Sequence, residues 1–201
     1  MTTATLRTQG RADLLIPAGC AGVLAAVLVW LGPPGTDLAA HVYQRTLFIE
    51  HGFVLWNNFW YAGRYSFVNY SVLYYPLAAA IGIKLLAVLT VTVAVIGFAA
   101  VVRHEWELHS RWTIRAFALV WALLVVSAAY PFMLGMALAF LALWSLQHDR
   151  RGVFACLTLL TLAASPLAFL LLVVLLAAAA LTGRGEPRRF VAPAAAIASS
   201  P

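Results

Sequence analysis

The sequence predicts an all-α, polytopic integral membrane protein of about six transmembrane helices, several of them short and paired. It also predicts the start of a seventh span and an amphipathic helix on the outer face in the first loop. Three observations lead there. Hydrophobic residues make up 64% of the 201-residue chain and charged residues 10%, far from the roughly 45–50% apolar and 25% charged of a soluble domain. The apolar residues are gathered into a few long runs. The thirteen Lys and Arg residues stand in short groups between those runs. For all the net charge of +6, that pattern fits a chain oriented across a bilayer and excludes nucleic acid as a partner.

The elements follow in order. Residues 1–13 read as a cytoplasmic N-terminus carrying Arg7 and Arg11, ahead of an apolar run of 18 residues, Leu14–Leu31, that fits an uncleaved signal anchor. A large loop, 32–71, separates it from a largely apolar stretch of 31 residues, Val72–Val102, where one crossing needs only about 20. Tyr74-Tyr75-Pro76 predicts a short interfacial piece there, followed by a true span over Ile83–Val102. The blocks Ala116–Leu146 and Val153–Leu181 are divided at Tyr130-Pro131 and Ser165-Pro166. Each is predicted to be a hairpin of two short helices of about 12 to 15 residues, against the usual 20. The membrane domain thus covers 14–189. Phe190–Pro201 opens another apolar run and stops partway through a truncated seventh span, so a longer natural product is expected.

Parity fixes the sidedness. With the N-terminus inside, the segments 103–115, 148–151 and 183–189 are all cytoplasmic, and ten of the thirteen basic residues lie there or at the N-terminus. Arg45 and Arg64 are outside, and Lys84 sits near the outer end of a span where it can snorkel. The expected location is the inner (plasma) membrane, multi-pass. Cys20 and Cys156 lie inside apolar runs without metal-type spacing and are expected to be packed, structural thiols. No metal site is expected, and no motif identifies a cofactor.

Concentrated polar chemistry is confined to the outer loop. Thr36 to His51 contains no helix breaker, Thr36 or Asp37 can cap its start, and Gly52 can end it, which predicts a helix along the membrane surface. Asp37, His41 and Arg45 are spaced i, i+4, i+8 and share one face, beside an apolar stripe of Leu38, Val42 and Ile49. Spacing alone favours a capping Asp37 with ordinary surface pairs. The functional alternative makes Asp37 a general base, with Glu50 the other external acid. The segment Trp56 to Tyr75 holds nine aromatics in twenty positions. Such rings collect at membrane interfaces. Interleaved with Asn57, Asn58, Arg64 and Asn69, rings such as Trp56, Trp60 and Tyr65 also suit stacking on a sugar.

The order of features, with "PGTDLAAHVYQ" opening the loop, then "HGFVLWNNFWYAG" and "YSVLYYPLA", then paired spans with "YPFMLG" and "ASPLAF" at their turns, resembles the GT-C superfamily of polytopic membrane glycosyltransferases. It is most similar to bacterial 6-pyruvoyl-tetrahydropterin synthase-related membrane proteins, over roughly residues 14 to 190. The resemblance implies transfer of a sugar from a polyprenyl-phosphate donor to a glycan or lipid acceptor on the outer face. It implies Asp37 as the catalytic base, although the second acid that many members carry is replaced here by Leu38 and Ala39. Location and chemistry, rather than the resemblance, make His41, Arg45, His51 and Arg64 the further contacts to donor and phosphate. The alternatives are a non-catalytic transporter, a glycolipid-binding membrane subunit, or a structural membrane protein anchored by this loop.

Overall fold

The structure, a computed structural model, describes residues 3–57, 67–106 and 110–182. The described chain is helical apart from a short ladder. Helix α1 spans Thr3–Leu31, α2 Leu38–His51, α3 Tyr74–Ile81, α4 Ile83–Trp106, α5 Arg111–Leu123, α6 Tyr130–Gln147, α7 Arg151–Ala164 and α8 Pro166–Leu181. A 3-10 turn over Leu124–Ser127 extends α5. Strand β1 (Trp56–Asn57) pairs antiparallel with β2 (Phe67–Val68), Trp56 opposite Val68.

Local chemistry accounts for the boundaries. Gly52 and Gly82 hold φ of +73° and +85°, a region that glycine enters without a Cβ penalty, and they end α2 and α3. Ser165 caps α8 by accepting from the Ala168 N–H at 3.3 Å, with Pro166 at the first helical position where its missing N–H costs nothing. A short α3 followed by the long α4 matches the division into a short piece and a longer helix expected from Tyr74-Tyr75-Pro76.

Helix α4 packs between α1 and α6, and α6 in turn carries α7 and α8. Small residues bring these backbones together. A Cβ on Gly97 would stand 2.9 Å from the Phe140 Cβ, and one on Gly135 would stand 2.6 Å from the Ala168 Cβ. Rings of Phe98, Phe117 and Trp121 stack in sequence, with centroids 3.9 and 5.1 Å apart, joining α4 to α5. Outside this core, Ile16, Val23, Leu170, Val174 and Leu175 are exposed on α1 and α8, a surface suited to hydrocarbon and costly in water.

Three helices are long and apolar enough to cross a membrane, at Leu14–Leu31, Ile83–Trp106 and Tyr130–Gln147. The expected six spans are therefore resolved only in part. At about 1.5 Å per residue, α7 and α8 reach roughly 21 and 24 Å, short of a hydrocarbon core of about 30 Å. The first predicted hairpin is also uneven. Its break falls at Ala128, with φ of +57°, and Tyr130-Pro131 begins a full 18-residue helix. The cysteines differ from expectation as well. Cys20 and Cys156 are free and exposed on α1 and α7, because each lies on the side of its helix turned away from the bundle. Lys84 is exposed, with its Nζ 5.9 Å above the Trp30 ring, a cation–π contact that suits the end of a span. Residues 190–201 and the proposed seventh span lie outside the described residues.

Candidate functional site at the loop end of the bundle

Helix α2 begins with its backbone pinned to the break between α5 and α6. Thr36 N–H donates to the Val126 carbonyl at 3.4 Å and Asp37 N–H to that of Ser127 at 3.2 Å. Gly35 makes this approach possible, since a Cβ there would come within 2.6 Å of the Ala128 Cβ and 3.1 Å of the Val126 oxygen. The other end of the loop is fixed at the second break. Val72 and Leu73 N–H both donate to the Ala163 carbonyl at 2.9 and 3.0 Å, and Ser71 Oγ joins them at 3.3 Å. One loop thus closes over both helix breaks.

On α2 the expected face of Asp37, His41 and Arg45 is present, and it points inward. His41 is buried at 7% exposure, Arg45 is half-buried and Asp37 is exposed at the rim. Leu38 and Phe48 pack against the core beside them, whereas Val42 and Ile49 are exposed at 46% and 55%. The apolar stripe expected over Leu38, Val42 and Ile49 is thus divided, and the surface-pair reading of His41 fails. The reason is what the bundle offers: three tyrosines arranged to receive an imidazole.

Tyr74 and Tyr75 from α3 and Tyr130 from α6 surround the His41 ring, with centroids at 5.7, 6.1 and 5.8 Å. His41 Nδ1 lies 3.2 Å from Tyr75 Oη. A neutral imidazole has one donor and one acceptor, matching the Ala128 backbone carbonyl and the Tyr75 hydroxyl. Burial lowers the His41 pKa below its ordinary 6.5, against the opposing pull of Asp37 and the Ala128 hydrogen bond. Burial likewise pushes the Tyr74 and Tyr75 hydroxyls up, so both stay protonated. The Tyr74 hydroxyl is buried without a hydrogen-bond partner. Arg45 Nε donates to the Ala78 carbonyl at 2.8 Å, which also accepts from Gly82 N–H at 2.9 Å. The guanidinium therefore closes the C-terminal end of α3, where a cation is favoured.

Asp37 occupies the N-cap position of α2, yet its side chain makes no capping hydrogen bond. The carboxylate stands at the rim of the cluster, uncommitted to the helix it begins. The other sequence candidates are not gathered here. His51 is exposed at the far end of α2, about 20 Å along the helix from Asp37, beside a narrow cleft lined by Gln44, Val54 and Asn69. Trp56 lies beyond it and is 59% exposed. Trp60, Arg64 and Tyr65 lie outside the described residues.

Tyr74 and Tyr75 are not part of an exposed sugar platform, being buried at 0% and 2%. Sequence reasoning missed them and Tyr130 as partners of His41. The available signal was a tyrosine directly before proline at both sites, Tyr75-Pro76 and Tyr130-Pro131. Against this geometry, no family model, curated protein or solved structure matches the chain.

Proposed function

We propose that the chain is a membrane glycosyltransferase, or the N-terminal part of one, acting on a polyprenyl-phosphate sugar donor at the loop end of the bundle. The observation that carries the reading is the carboxylate of Asp37, free of its helix cap and held at the rim by a backbone fastened to the α5–α6 break. A base fixed on a docked helix start can meet an incoming hydroxyl without reorganisation. Asp37 takes the proton of the acceptor hydroxyl as its oxygen attacks the anomeric carbon. The bond to the lipid phosphate breaks, and the phosphate leaves with the electron pair, with inversion at the carbon. Arg45, whose Nε is used on Ala78, is the nearby cation for that phosphate. In this reading the N-terminus is cytoplasmic, the loop end faces outward, and α5, α7 and α8 cross as short helices.

The test uses membranes holding the full chain and radiolabelled polyprenyl-phosphate hexose, with transfer to endogenous acceptor as the readout. Asp37→Asn is expected to lower transfer by about 100-fold or more while thermal unfolding in detergent is unchanged. Wild-type transfer by the variant removes the base role. A second reading, a non-catalytic glycolipid-binding subunit or transporter, draws on the exposure of Asp37 at the rim, where a proton acceptor gains nothing from burial. It holds if both proteins retain the labelled lipid and neither transfers sugar.

A further inference from the structure

The outward side of α1 and α5 carries a groove that the loop-end site does not use. Its middle is mainly apolar, lined from α1 by Pro17, Cys20 and Leu24 and from α5 by Ala118, Leu119 and the Arg115 stem, an open hollow of about 330 Å³. Small side chains keep it open. Gly19, on the adjoining face, would meet nothing within 4 Å even with a Cβ, and the hollow continues there over Leu15, Val23 and Val27. At the other end the character changes. Arg111 and Arg115 join Ala12, Ile16 and Pro17 around a smaller opening.

We propose that this groove binds an anionic phospholipid, with one acyl chain along Pro17, Cys20 and Leu24 and the phosphate between Arg111 and Arg115. Four features of the groove fit such a lipid. The two arginines are one turn apart on α5 and so share a face, and guanidinium groups pair with phosphate through two parallel hydrogen bonds. From Ala12 to Leu24 the helix rises about 18 Å, close to the roughly 15 Å depth of one leaflet's hydrocarbon. The charged end is set at headgroup depth by tryptophan: Trp112 is 77% exposed and Trp106 58%, and such exposed indoles collect at that boundary. Arg115 lies 5.1 Å from the Trp112 ring, a contact that holds the cation at the mouth of the groove. A soluble phosphate would use only the arginine end. An amphiphile with a negative head uses the whole length, which is why the lipid is preferred. The inference depends neither on the transfer reaction nor on which side of the membrane the basic end faces.

The test is lipid retention by the full chain in mild detergent, read by native mass spectrometry with dioleoyl phosphatidylglycerol and dioleoyl phosphatidylcholine, which share their chains and differ in net charge. The wild type is expected to retain phosphatidylglycerol at least tenfold more strongly, and Arg111→Gln with Arg115→Gln to lower its affinity about 30-fold, at about tenfold or less per charge. Cys20→Trp, which fills the groove and leaves both arginines, is expected to release the lipid as well. Millimolar inorganic phosphate is expected not to displace it. Equal retention of the two lipids by the wild type marks an ordinary annular contact and overturns the proposal. So does displacement by phosphate, which marks a site for a soluble anion. The wild-type comparison decides the matter even if a variant fails to fold.

Discussion

The two ends of the bundle treat polar groups in opposite ways. At the loop end a titratable ring, His41, is buried among three tyrosines, and backbone amides of the loop are aimed at carbonyls that the helix breaks leave unpaired. At the basic end Arg111, Arg115, Arg150 and Arg151 are exposed, and the helices meet through an apolar cluster of Ala99, Val102 and Ile114. Gln147 reaches the Val101 carbonyl and Glu105 at 3.3 and 2.8 Å, and the His104 and His148 rings lie 5.3 Å apart. The difference follows from where helices are interrupted. Broken helices create unpaired carbonyls that a neighbouring segment must satisfy, and a segment recruited for that purpose brings its side chains inside. Helices that end in water or headgroups make no such demand, and their charges stay out.

If that contrast is right, the largest disturbance should come from His41. Replacing it with Ala removes a buried ring and strands the Tyr75 hydroxyl, and a loss of about 2–4 kcal/mol is expected, read by chemical unfolding in detergent. The same residue gives a pH signature. Its pKa is lowered in the folded protein, so its contribution is full above about 6.5 and is lost as pH falls through the folded value, because the undocked ring takes a proton that the docked ring resists. Protection factors over α2, taken from hydrogen exchange after correction for the intrinsic pH dependence of amide exchange, should therefore fall on acidification below about 6.5 in the wild type. In His41→Ala that fall should vanish, and a slope persisting in the variant would assign it to another group.

A smaller effect is expected at the point of docking. Gly35→Ala forces a Cβ against Ala128 and the Val126 carbonyl, and about 1–3 kcal/mol should be lost. Faster exchange is expected at the Thr36 and Asp37 amides, with no change at the basic end. Smallest is Arg45→Gln, which removes one hydrogen bond to Ala78 and a cation from the end of α3. About 1 kcal/mol is expected, seen as fraying at Gly82 by hydrogen exchange. Equal effects of these three changes at both ends of the molecule would erase the contrast.

Much of the helical outline was legible because its punctuation is local. Gly52 marks a boundary through a left-handed conformation that few other residues adopt, and the Ser165-Pro166 pair marks one through a cap and a proline at the first helical position. The shared face of Asp37, His41 and Arg45 followed from helical spacing alone. Its direction did not, since spacing says which residues lie together and not what waits opposite them. The tyrosines that decided the matter come from α3 and α6, and Tyr75 is 34 residues away from His41. The break before α6 was placed slightly late for a similar reason. Proline suits a helix start as well as it suits a turn, and the left-handed conformation fell to Ala128, a residue with no intrinsic preference for it. The exposed thiols show the same limit, because an apolar run does not tell its inward side from the side left to lipid.

The contact between Ser71 and Ala163 also sets an order of assembly. Its two partners are 92 residues apart, so during synthesis the first loop is complete long before the carbonyl that receives it exists. Until α7 arrives, the amides of Val72 and Leu73 must be served by water, and the stretch before α3 stays open to solvent. The loop end consequently cannot close before Ala163 has been made, and a ribosome stalled before it would hold a chain whose early helices are made but whose site is unfinished.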